Sequence, residues 1–576
     1  MFKLVKNKWS FSVSLVVCAF LILTTVSNPL VNISINDDWV FMLQVKAFLN
    51  SIYKLNVAID PSFISQGILG YFWSLIFGFS IVKLRILTVL CSAIFIVVLS
   101  KIFKVLQIHN KITIVALCIV AFNPLFFSSA LTFMTDNYFL LFSFIAAYFY
   151  LKYFSDDKNV NIVLGGVFSG LAFLTRQIGL IPLIAFYLVQ SFAFFQKKVG
   201  AKNLMFRLIA GLIPTCMFLF IFLFWPKYTL QDGNDNGPNS MFIEQKFVSE
   251  RVLNEVPRSL PLFGFSLLPM TLLLKNRSRK LSLFVTVLSL ALAQTIFKLD
   301  VLPLGNVFYV EGLYAKTGFK SNFSIFDNIA FKYILAFLIS YSLVNLFVCT
   351  SKTLINFTKT KKISFSSLFL LLMFSGYVLT TIISTDIYDR YFLAAIVTLI
   401  ILIASYIEKT SWKVSLTVML VILLSIFMSV ILNYEYFTSH NLMWRQADKL
   451  RELANLRDGV LLDRVYSKYV RAFTTNDYSG SGETLAKFYD PPCFVQQYTI
   501  DGDGLVFNIA SNTENYLEKK VNNPKIYDRK KLEEYPRIKK HLNELIYNEE
   551  YFSPLYSIIG KRAFVGAWCD AAFLQK

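Results

Sequence analysis

Long apolar runs alternate with short polar loops along most of the chain. A run of about 20 apolar residues is enough to cross the hydrocarbon core of a bilayer as a helix. Thirteen runs meet this description, at 11–29, 84–103, 112–131, 136–153, 161–175, 179–195, 204–225, 259–274, 281–298, 329–350, 363–384, 391–407 and 413–432. The pattern predicts a polytopic α-helical membrane protein, with 56% hydrophobic and 16% charged residues.

The positive charges indicate how the chain is threaded. Lys and Arg gather in short loops and flanks, at 3–8, 101–111, 197–202, 275–280, 352–362 and 409–413. Such loops face the cytoplasm, so the N-terminus is predicted inside and the C-terminus outside. The first run is interpreted as a retained anchor, because no A-x-A-like cleavage site follows it. Another apolar stretch, 66–82, is interpreted as a juxtamembrane or re-entrant helix, since counting it as a span would invert every later loop.

The long extracytoplasmic parts are predicted to be a first loop, two further segments at 226–258 and 299–328, and a C-terminal domain. The loop, 30–83, contains "DDWVFMLQVKAFLNSIY", whose spacing predicts an amphipathic helix lying on the membrane surface. Composition turns polar near residue 433, which divides the chain into a membrane domain, 1–432, and a small α/β domain, 433–576. In that tail we expect helices at "NLMWRQADKLRELANL" and "DRKKLEEYPRIKKHLNELIY", and a strand at "GVLLDRV".

The cysteines agree with this arrangement. Five of the seven lie in predicted spans, where a thiol behaves as a small hydrophobe. Only Cys493 and Cys569 lie in the tail. Two thiols in an oxidising compartment are a candidate disulfide.

Ionisable residues at the edge of a membrane are costly and therefore functional candidates. The candidates all fall on the predicted outer side, and they are Asp37, Asp38, Asp136, Arg176, Asp386, Asp389 and Arg390. Asp37, Asp38 and Asp136 also have a simpler explanation, as helix caps or first-turn acids. Arg176 has one as a turn residue whose side chain reaches outward, and Arg390 has one as an interface anchor. Their gathering on one side, at the ends of separate helices, favours a shared site.

These residues lie in segments that resemble a known group. The segments are "NDDW" in the first outer loop, "FMTDNYF" opening the fourth span, "GLAFLTRQIGLIPL" at a turn, and "DRYFLAA" before a late span. Together with thirteen spans and an outer tail, they resemble the GT-C superfamily of membrane glycosyltransferases. The resemblance is closest to bacterial members of the protein mannosyltransferase and lipid A aminoarabinose transferase group, glycosyltransferase family 39. It covers roughly residues 10–430; many members have Asp-Glu where this chain has Asp37-Asp38, and Lys where it has Arg176.

The resemblance implies an activity and a place. It implies an inverting transfer of a sugar from a polyprenyl-phosphate donor to a hydroxyl of a protein, lipid or glycan, at the outer face of a bacterial inner membrane. Asp37 would be the general base, Asp38 would orient it or contact the acceptor, and Asp136 would be a second acidic residue of the site. Arg176 and Arg390 would hold the phosphate, a role that suits the guanidinium group.

Other functions stay open at this point. A polysaccharide polymerase or ligase would use a diphosphate-linked glycan on a similar site. A transporter predicts polar residues at mid-membrane, whereas these lie at one edge, and a sensor or structural protein would not need the Asp/Arg set. Nucleic acid is not an expected partner, because no basic run in a soluble part carries interleaved aromatics. Metal dependence stays open, no metal ligand is assigned, and "DGNDNG" at 232–237 is a poor match to a calcium loop.

Overall fold

Helices make up most of the structure, which is a computed structural model. It describes residues 2–35, 38–55, 63–226, 245–273, 279–298, 308–309, 312–313, 329–360, 364–384, 388–408, 412, 414–453, 460–461, 493–501, 504–507, 545–552, 554, 557 and 562–569. The helices are α1 (Phe2–Val26), α2 (Asp38–Leu49), α3 (Ile64–Phe77), α4 (Ile81–Val105), α5 (Asn110–Ala121), α6 (Pro124–Ala130), α7 (Thr135–Asp156), α8 (Asn159–Phe173), α9 (Ile181–Phe195), α10 (Ala201–Phe224), α11 (Gln245–Leu272), α12 (Arg279–Lys298), α13 (Ile329–Thr360), α14 (Phe365–Ile382), α15 (Leu393–Ile407) and α16 (Leu416–Leu453).

The helices confirm the polytopic membrane class. Among the described residues, eight helices are long and apolar enough to span a bilayer, and α5 with α6 forms a bent pair that passes the same test. Four shorter apolar helices, Phe11–Val26, Asn159–Phe173, Ser259–Leu272 and Lys332–Val348, coincide with the remaining predicted spans. The protein is therefore an integral membrane protein whose helices follow the apolar pattern of the sequence.

One predicted span is broken in the middle. The run 112–131 folds as α5 and α6, which meet at an angle of 62°. Pro124 occupies the first turn of α6, and Asn123 caps it by accepting from the Leu125 N–H at 3.0 Å. A proline cannot continue α5, because it has no N–H and its ring clashes with the preceding turn. The Phe122 carbonyl freed by the break accepts from Ser429 Oγ of α16 at 2.8 Å.

The helix of the first outer loop, α2, is not the surface helix that the sequence predicted. All but two of its twelve residues are buried, including Asp38, Trp39 and Gln44. Its sequence is apolar on nearly every side, and a helix that is hydrophobic all round is normally buried inside a protein. It therefore belongs to the protein core instead of lying on lipid.

The apolar stretch before α4 forms the helix α3. A Cβ on Gly70 would lie 2.8 Å from a Val45 methyl and 2.9 Å from the Phe133 ring, so glycine allows α3 to pack directly on these elements. Gly70 also faces Leu84, in the first turn of α4. The middle of α3 thus lies level with the start of a span, which favours the juxtamembrane interpretation over the re-entrant one. Its other face exposes Phe72, Leu75, Ile76 and Phe77.

The last helix, α16, continues well past its predicted end near residue 432. It has 38 residues, or roughly 57 Å of rise, and it includes most of the segment predicted as a separate helix. Asn28, just after α1, donates to Thr438 of α16 at 3.4 Å. Gln446, two turns further on, donates to Glu549 of the tail at 3.0 Å. A continuous helix therefore joins the membrane bundle to the tail, and the predicted boundary at 432/433 stays a prediction.

A small sheet follows α16, consistent with an α/β tail. Its described strands are β3 (Val460–Leu461), β4 (Cys493–Asp501), β5 (Gly504–Phe507), β6 (Leu545–Tyr551) and β7 (Arg562–Cys569), after a short hairpin, β1 (Phe308–Tyr309) and β2 (Gly312–Leu313). The order is β3-β4-β7-β6, β5 pairs with β4, and only the β3–β4 pair is parallel. The residues "LIY" at 545–547 lie in β6, so the end of the helix predicted there is wrong; the rest of that helix lies outside the described residues.

The sheet bears on the predicted disulfide. Cys493 and Cys569 are directly opposite each other in the antiparallel β4–β7 pair. Residues opposite each other in such a pair have Cα atoms about 4.5–5.5 Å apart, within the range that a disulfide spans. The register is thus compatible with the bridge, which stays a prediction.

Candidate functional site

Asp38 lies in a buried ion pair at the start of α2. Its Oδ2 is 3.0 Å from Arg85 Nη2, and neither side chain is more than 1% exposed. Its Oδ1 accepts from the Ile35 N–H at 2.7 Å and from the Ser34 hydroxyl. Burial raises the pKa of the Asp38 carboxyl, and Arg85, Ser34 and the Ile35 N–H oppose that shift. Both carboxylate oxygens are thus committed to donors within the protein.

Arg85 fastens the segment that precedes α2. Its Nη1 donates to the Val31 carbonyl at 3.0 Å, and its Nη2 donates to the Ile33 carbonyl at 2.5 Å. Its guanidinium also lies over the Phe437 ring of α16, 5.4 Å from the ring centre. One side chain in the first turns of α4 therefore binds the first outer loop at three points.

Asp37, the predicted general base, lies outside the described residues, as does Asp386. The residues on either side of the Asn36-Asp37 pair are described. The Asp38 N–H donates to the Ile35 carbonyl at 3.2 Å, and the Ile35 N–H donates back to the Asp38 side chain. The residues before and after the Asn36-Asp37 pair, Ile35 and Asp38, are therefore fixed by their hydrogen bonds to each other and by the Asp38–Arg85 ion pair.

A second ionic cluster joins three of the predicted site residues. Asp136, in the first turn of α7, has its Oδ1 2.9 Å from Arg176 Nη1. Its Oδ2 is 3.9 Å from Arg390 Nη1. The exposed fractions of the side chains are 2% for Asp136, 12% for Arg176 and 6% for Arg390. Residues that are 40 and more than 200 positions apart in the sequence thus meet, whereas Asp38 lies in the separate pair with Arg85.

One tyrosine contacts both arginines of this cluster. The Arg176 guanidinium carbon is 4.6 Å from the centre of the Tyr391 ring, and that of Arg390 is 5.8 Å from it. Arg390 also lies 5.6 Å from the Tyr388 ring. Cation–π contacts of this kind orient a guanidinium while its edge stays available for hydrogen bonds. The two arginines are therefore held by a shared ring and a shared carboxylate.

The turn that carries Arg176 is fixed by a close backbone approach. The Arg176 N–H donates to the Ala172 carbonyl at 2.8 Å, and the Gly179 N–H donates to the Arg176 carbonyl at 2.8 Å. A Cβ on Gly179 would lie 2.2 Å from the Ala172 carbonyl carbon, which only glycine avoids. The Ser65 N–H at the start of α3 donates to the Leu174 carbonyl at 3.1 Å and ties this turn to the first outer loop.

Asp389 has a local role in the segment that carries Arg390. It is fully buried, and its Oδ1 accepts from the Arg390 N–H at 2.7 Å at the start of a short 3-10 helix, Asp389–Phe392. This contact lies within the segment and is not a side-chain cap of the 3-10 helix, whose N-cap residue is Tyr388.

The two clusters lie at the same end of the bundle. The Tyr138 hydroxyl, two residues after Asp136, is 2.9 Å from Thr88 Oγ1, one turn after Arg85. The opposite end carries the Lys-rich loops, where the His109 N–H donates to Glu408 at 2.7 Å. Carboxylates and arginines thus gather where α4 and α7 begin.

The sequence analysis missed two contributors, Arg85 and Tyr391. Arg85 stands inside an apolar run, which is itself a signal for a buried partner. In the described part of the chain, no group of three His, Cys, Asp or Glu residues is arranged to hold a metal ion. The calcium-like motif at 232–237 lies outside the described residues.

Comparison with known proteins agrees with the resemblance seen in the sequence. Residues 69–225 match the family model described as dolichyl-phosphate-mannose-protein mannosyltransferase, and this range contains Asp136 and Arg176. The resemblance to GT-C membrane glycosyltransferases is thereby confirmed. No curated protein sequence matches the chain.

Two crystal structures were also found similar to this one. They are ArnT from Cupriavidus metallidurans bound to undecaprenyl phosphate, with a TM-score of 0.36, and the same protein in the apo state, with a TM-score of 0.35. Each is 12% identical to this chain, and the alignment covers 96% of this chain and 97% of that chain.

Proposed function

We propose that this protein is an inverting glycosyltransferase that moves a sugar from a polyprenyl-phosphate donor to an acceptor hydroxyl. The observation that carries the proposal is the meeting of Arg176 and Arg390 over Tyr391, with Asp136 between them, at the start of α7. Buried arginines are costly unless they serve an ion or a partner. The family match over 69–225 supports the same reaction class.

The reaction needs positive charge at the leaving group. The acceptor oxygen bonds to the anomeric carbon while the bond from that carbon to the phosphate oxygen breaks. The electron pair of the broken bond leaves with the polyprenyl phosphate, which changes from a diester to a monoester. Two guanidinium groups fixed by a ring and a carboxylate suit this anion, because Arg presents paired N–H groups to phosphate oxygens.

The acceptor proton needs a base, and we assign that role to Asp37. A carboxylate within hydrogen-bond reach of the acceptor hydroxyl takes its proton as the new bond forms. Asp38 and Arg85 act as positioning residues, because they fix Ile35 and Asp38 on either side of the base. The full commitment of the Asp38 oxygens argues against a direct contact with the acceptor.

A groove beside the arginine turn suits the lipid tail of the donor. Its volume is about 510 Å³, and its walls come from α3, α7, α8 and α10; the lining includes Ile68, Phe142, Leu171, Leu174, Phe224 and Trp225. Leu174 is two residues from Arg176, a separation of at most about 7 Å along the chain. A phosphate at the arginines would thus have an apolar groove nearby for its isoprenoid chain.

Orientation follows from the charged loops. We place the Lys-rich end in the cytoplasm and the Asp/Arg end, with the tail sheet, outside a bacterial inner membrane. A lipid-linked donor reaches such a site from the outer leaflet. The sugar and the acceptor, whether protein, lipid or glycan, are identified by the experiment below.

The experiment is turnover by the full-length protein in proteoliposomes. A panel of undecaprenyl-phosphate sugars is supplied with candidate acceptors, released undecaprenyl phosphate is measured, and the product is analysed by mass spectrometry and for its anomeric configuration. We expect inversion, dependence on Arg176 and Arg390, and no effect of Arg562→Ala, which changes an exposed residue of the tail sheet. Release from diphosphate-linked glycans alone would instead establish the polymerase or ligase reaction.

A further inference from the structure

Asp136 stands between the two arginines of the cluster instead of beside one of them. One carboxylate oxygen faces Arg176 at 2.9 Å and the other faces Arg390 at 3.9 Å. The second distance is too long for a direct hydrogen bond, although an ion pair at that distance is still attractive. The carboxylate thus occupies the space where an anion would be attracted by both guanidinium groups.

We propose that Asp136 is a charge-balancing residue that limits how tightly the site holds the polyprenyl phosphate product. The inference rests on the proposed function. Asp136 keeps the arginines oriented when the site is empty, and it competes with phosphate for the same N–H groups. Its effect is therefore expected on product release more than on the chemical step.

The charge of the phosphate explains why such a limit is needed. The donor is a diester with one negative charge, whereas the product is a monoester whose second proton is lost near pH 6. Bidentate contacts from Arg to phosphate are among the strongest hydrogen bonds in proteins. With no carboxylate between them, two buried arginines would bind the product more tightly than the donor, and turnover would stall.

An acid or base role for Asp136 makes a different prediction. Such a residue acts in the chemical step, and its removal slows a single turnover while product affinity stays unchanged. A purely structural role predicts loss of folding, with every kinetic constant changed together. The product affinity and the ratio of single to multiple turnovers therefore separate the three roles.

The test compares Asp136→Asn with the wild type in the full-length protein. Farnesyl phosphate is the binding probe, and single- and multiple-turnover rates are measured with the lipid-linked sugar donor. We expect Asp136→Asn to bind farnesyl phosphate on the order of tenfold more tightly, with a nearly normal first turnover and a slow steady state. Asp136→Glu, which keeps the charge, should bind the probe about as the wild type does.

The matched control is Asp157→Asn. Asp157 follows the other end of α7, is 78% exposed and pairs with Arg207 at 3.4 Å. It is far from the cluster, so its substitution should change neither probe affinity nor turnover. A control that mimics Asp136→Asn would overturn the inference, because the effect would then be a general one of charge on α7.

A second background guards against misfolding. Removing both members of the close pair, in Arg176→Gln with Asp136→Asn, avoids an uncompensated buried charge. Relative to Arg176→Gln alone, the double variant should bind farnesyl phosphate more tightly through Arg390. The role of Asp136 would be disproved if Asp136→Asn left the affinity for farnesyl phosphate unchanged both in the wild type and in Arg176→Gln. Probe binding by the wild type that is insensitive to Arg390→Ala would instead count against the proposed function.

Discussion

Asp38 and Asp136 are both buried carboxylates in the first turn of a helix, and both face arginine, yet their surroundings differ. Asp38 has one arginine, a hydroxyl and a backbone N–H, all at hydrogen-bond distance. Asp136 has two arginines at unequal distances, and those arginines share the face of a tyrosine. Every printed partner of Asp38 is at hydrogen-bond distance, whereas Asp136 is shared between a close arginine and a more distant one.

We interpret this difference as one between a contact that holds a loop, at Asp38, and a proposed binding site, at Asp136. A buried ion pair contributes little to net stability when complete, but removing one partner leaves an unpaired charge. Arg85 also donates to two carbonyls of the first outer loop, so the Asp38–Arg85 pair holds that loop against α4. The Asp136 cluster has more positive than negative groups among its three members, which suits a site that is completed by phosphate.

The largest expected effect belongs to Asp37, the proposed general base, which directly precedes Asp38 in the sequence. Asp37→Asn keeps the size of the side chain and removes the proton acceptor. We expect turnover to fall on the order of a hundred- to ten-thousand-fold, while donor affinity is largely unchanged because the proposal assigns the phosphate to the arginines. Turnover and donor affinity are measured separately on variants shown to be folded.

Asn caps a helix about as well as Asp. Near-normal turnover in Asp37→Asn would therefore return the residue to a capping role and remove it from the reaction. Asp386→Asn is a useful companion, since it also removes a carboxylate from the predicted outer side and has no assigned chemical role.

The second-largest effect is a loss of stability when the Asp38–Arg85 pair is broken. Arg85→Met removes the charge and keeps a long apolar stem, which leaves Asp38 buried without its ion-pair partner. We expect a loss of about 3–5 kcal/mol in the free energy of unfolding, measured as a shift in thermal or denaturant unfolding in detergent. Activity should fall as well, because the attachment of the loop before α2 is lost.

A double-mutant cycle sharpens this test. Asp38→Asn combined with Arg85→Met removes both charges, so the double variant should lose less stability than the two single losses added together. Additive losses would show that the pair is not coupled. In that case Asp38–Arg85 could not be called a structural pair, and the proposed difference from the Asp136 cluster would not hold.

Much of this arrangement could be predicted from the sequence. The apolar runs predict the spans, and the topology set by the Lys/Arg loops puts Asp136, Arg176 and Arg390 on one predicted side of the membrane. Arg85 was missed because a single arginine near the start of a span looks like an interface anchor. Its partners come from a loop about fifty residues earlier and from α16, and this proximity depends on tertiary packing.

The errors in the fold have similar causes. The segment that opens α2 was predicted to lie on the membrane, but nearly every side of this helix is buried, which spacing alone did not show. The polar shift near residue 433 was taken as the end of a helix. Yet "MWRQADKLREL" contains good helix formers and no Gly or Pro, so α16 continues. A shift in composition shows where a helix passes from apolar to polar surroundings, and the helix itself need not end there.

The smallest of the three effects should be confined to the donor. Arg390→Ala removes a charge-assisted contact to the phosphate, which is on the order of 1.5–3 kcal/mol, or about a ten- to hundredfold rise in the donor dissociation constant. Because Arg390 is the more distant partner of Asp136, its loss should leave the closer Arg176 pair in place and cost less stability than Arg85→Met. Donor titrations and unfolding curves on the same preparations test both statements, with Arg562→Ala as the control at an exposed arginine. If Arg390→Ala instead unfolds the protein as Arg85→Met is expected to, and binds the donor normally when folded, both clusters are structural and the phosphate site lies elsewhere.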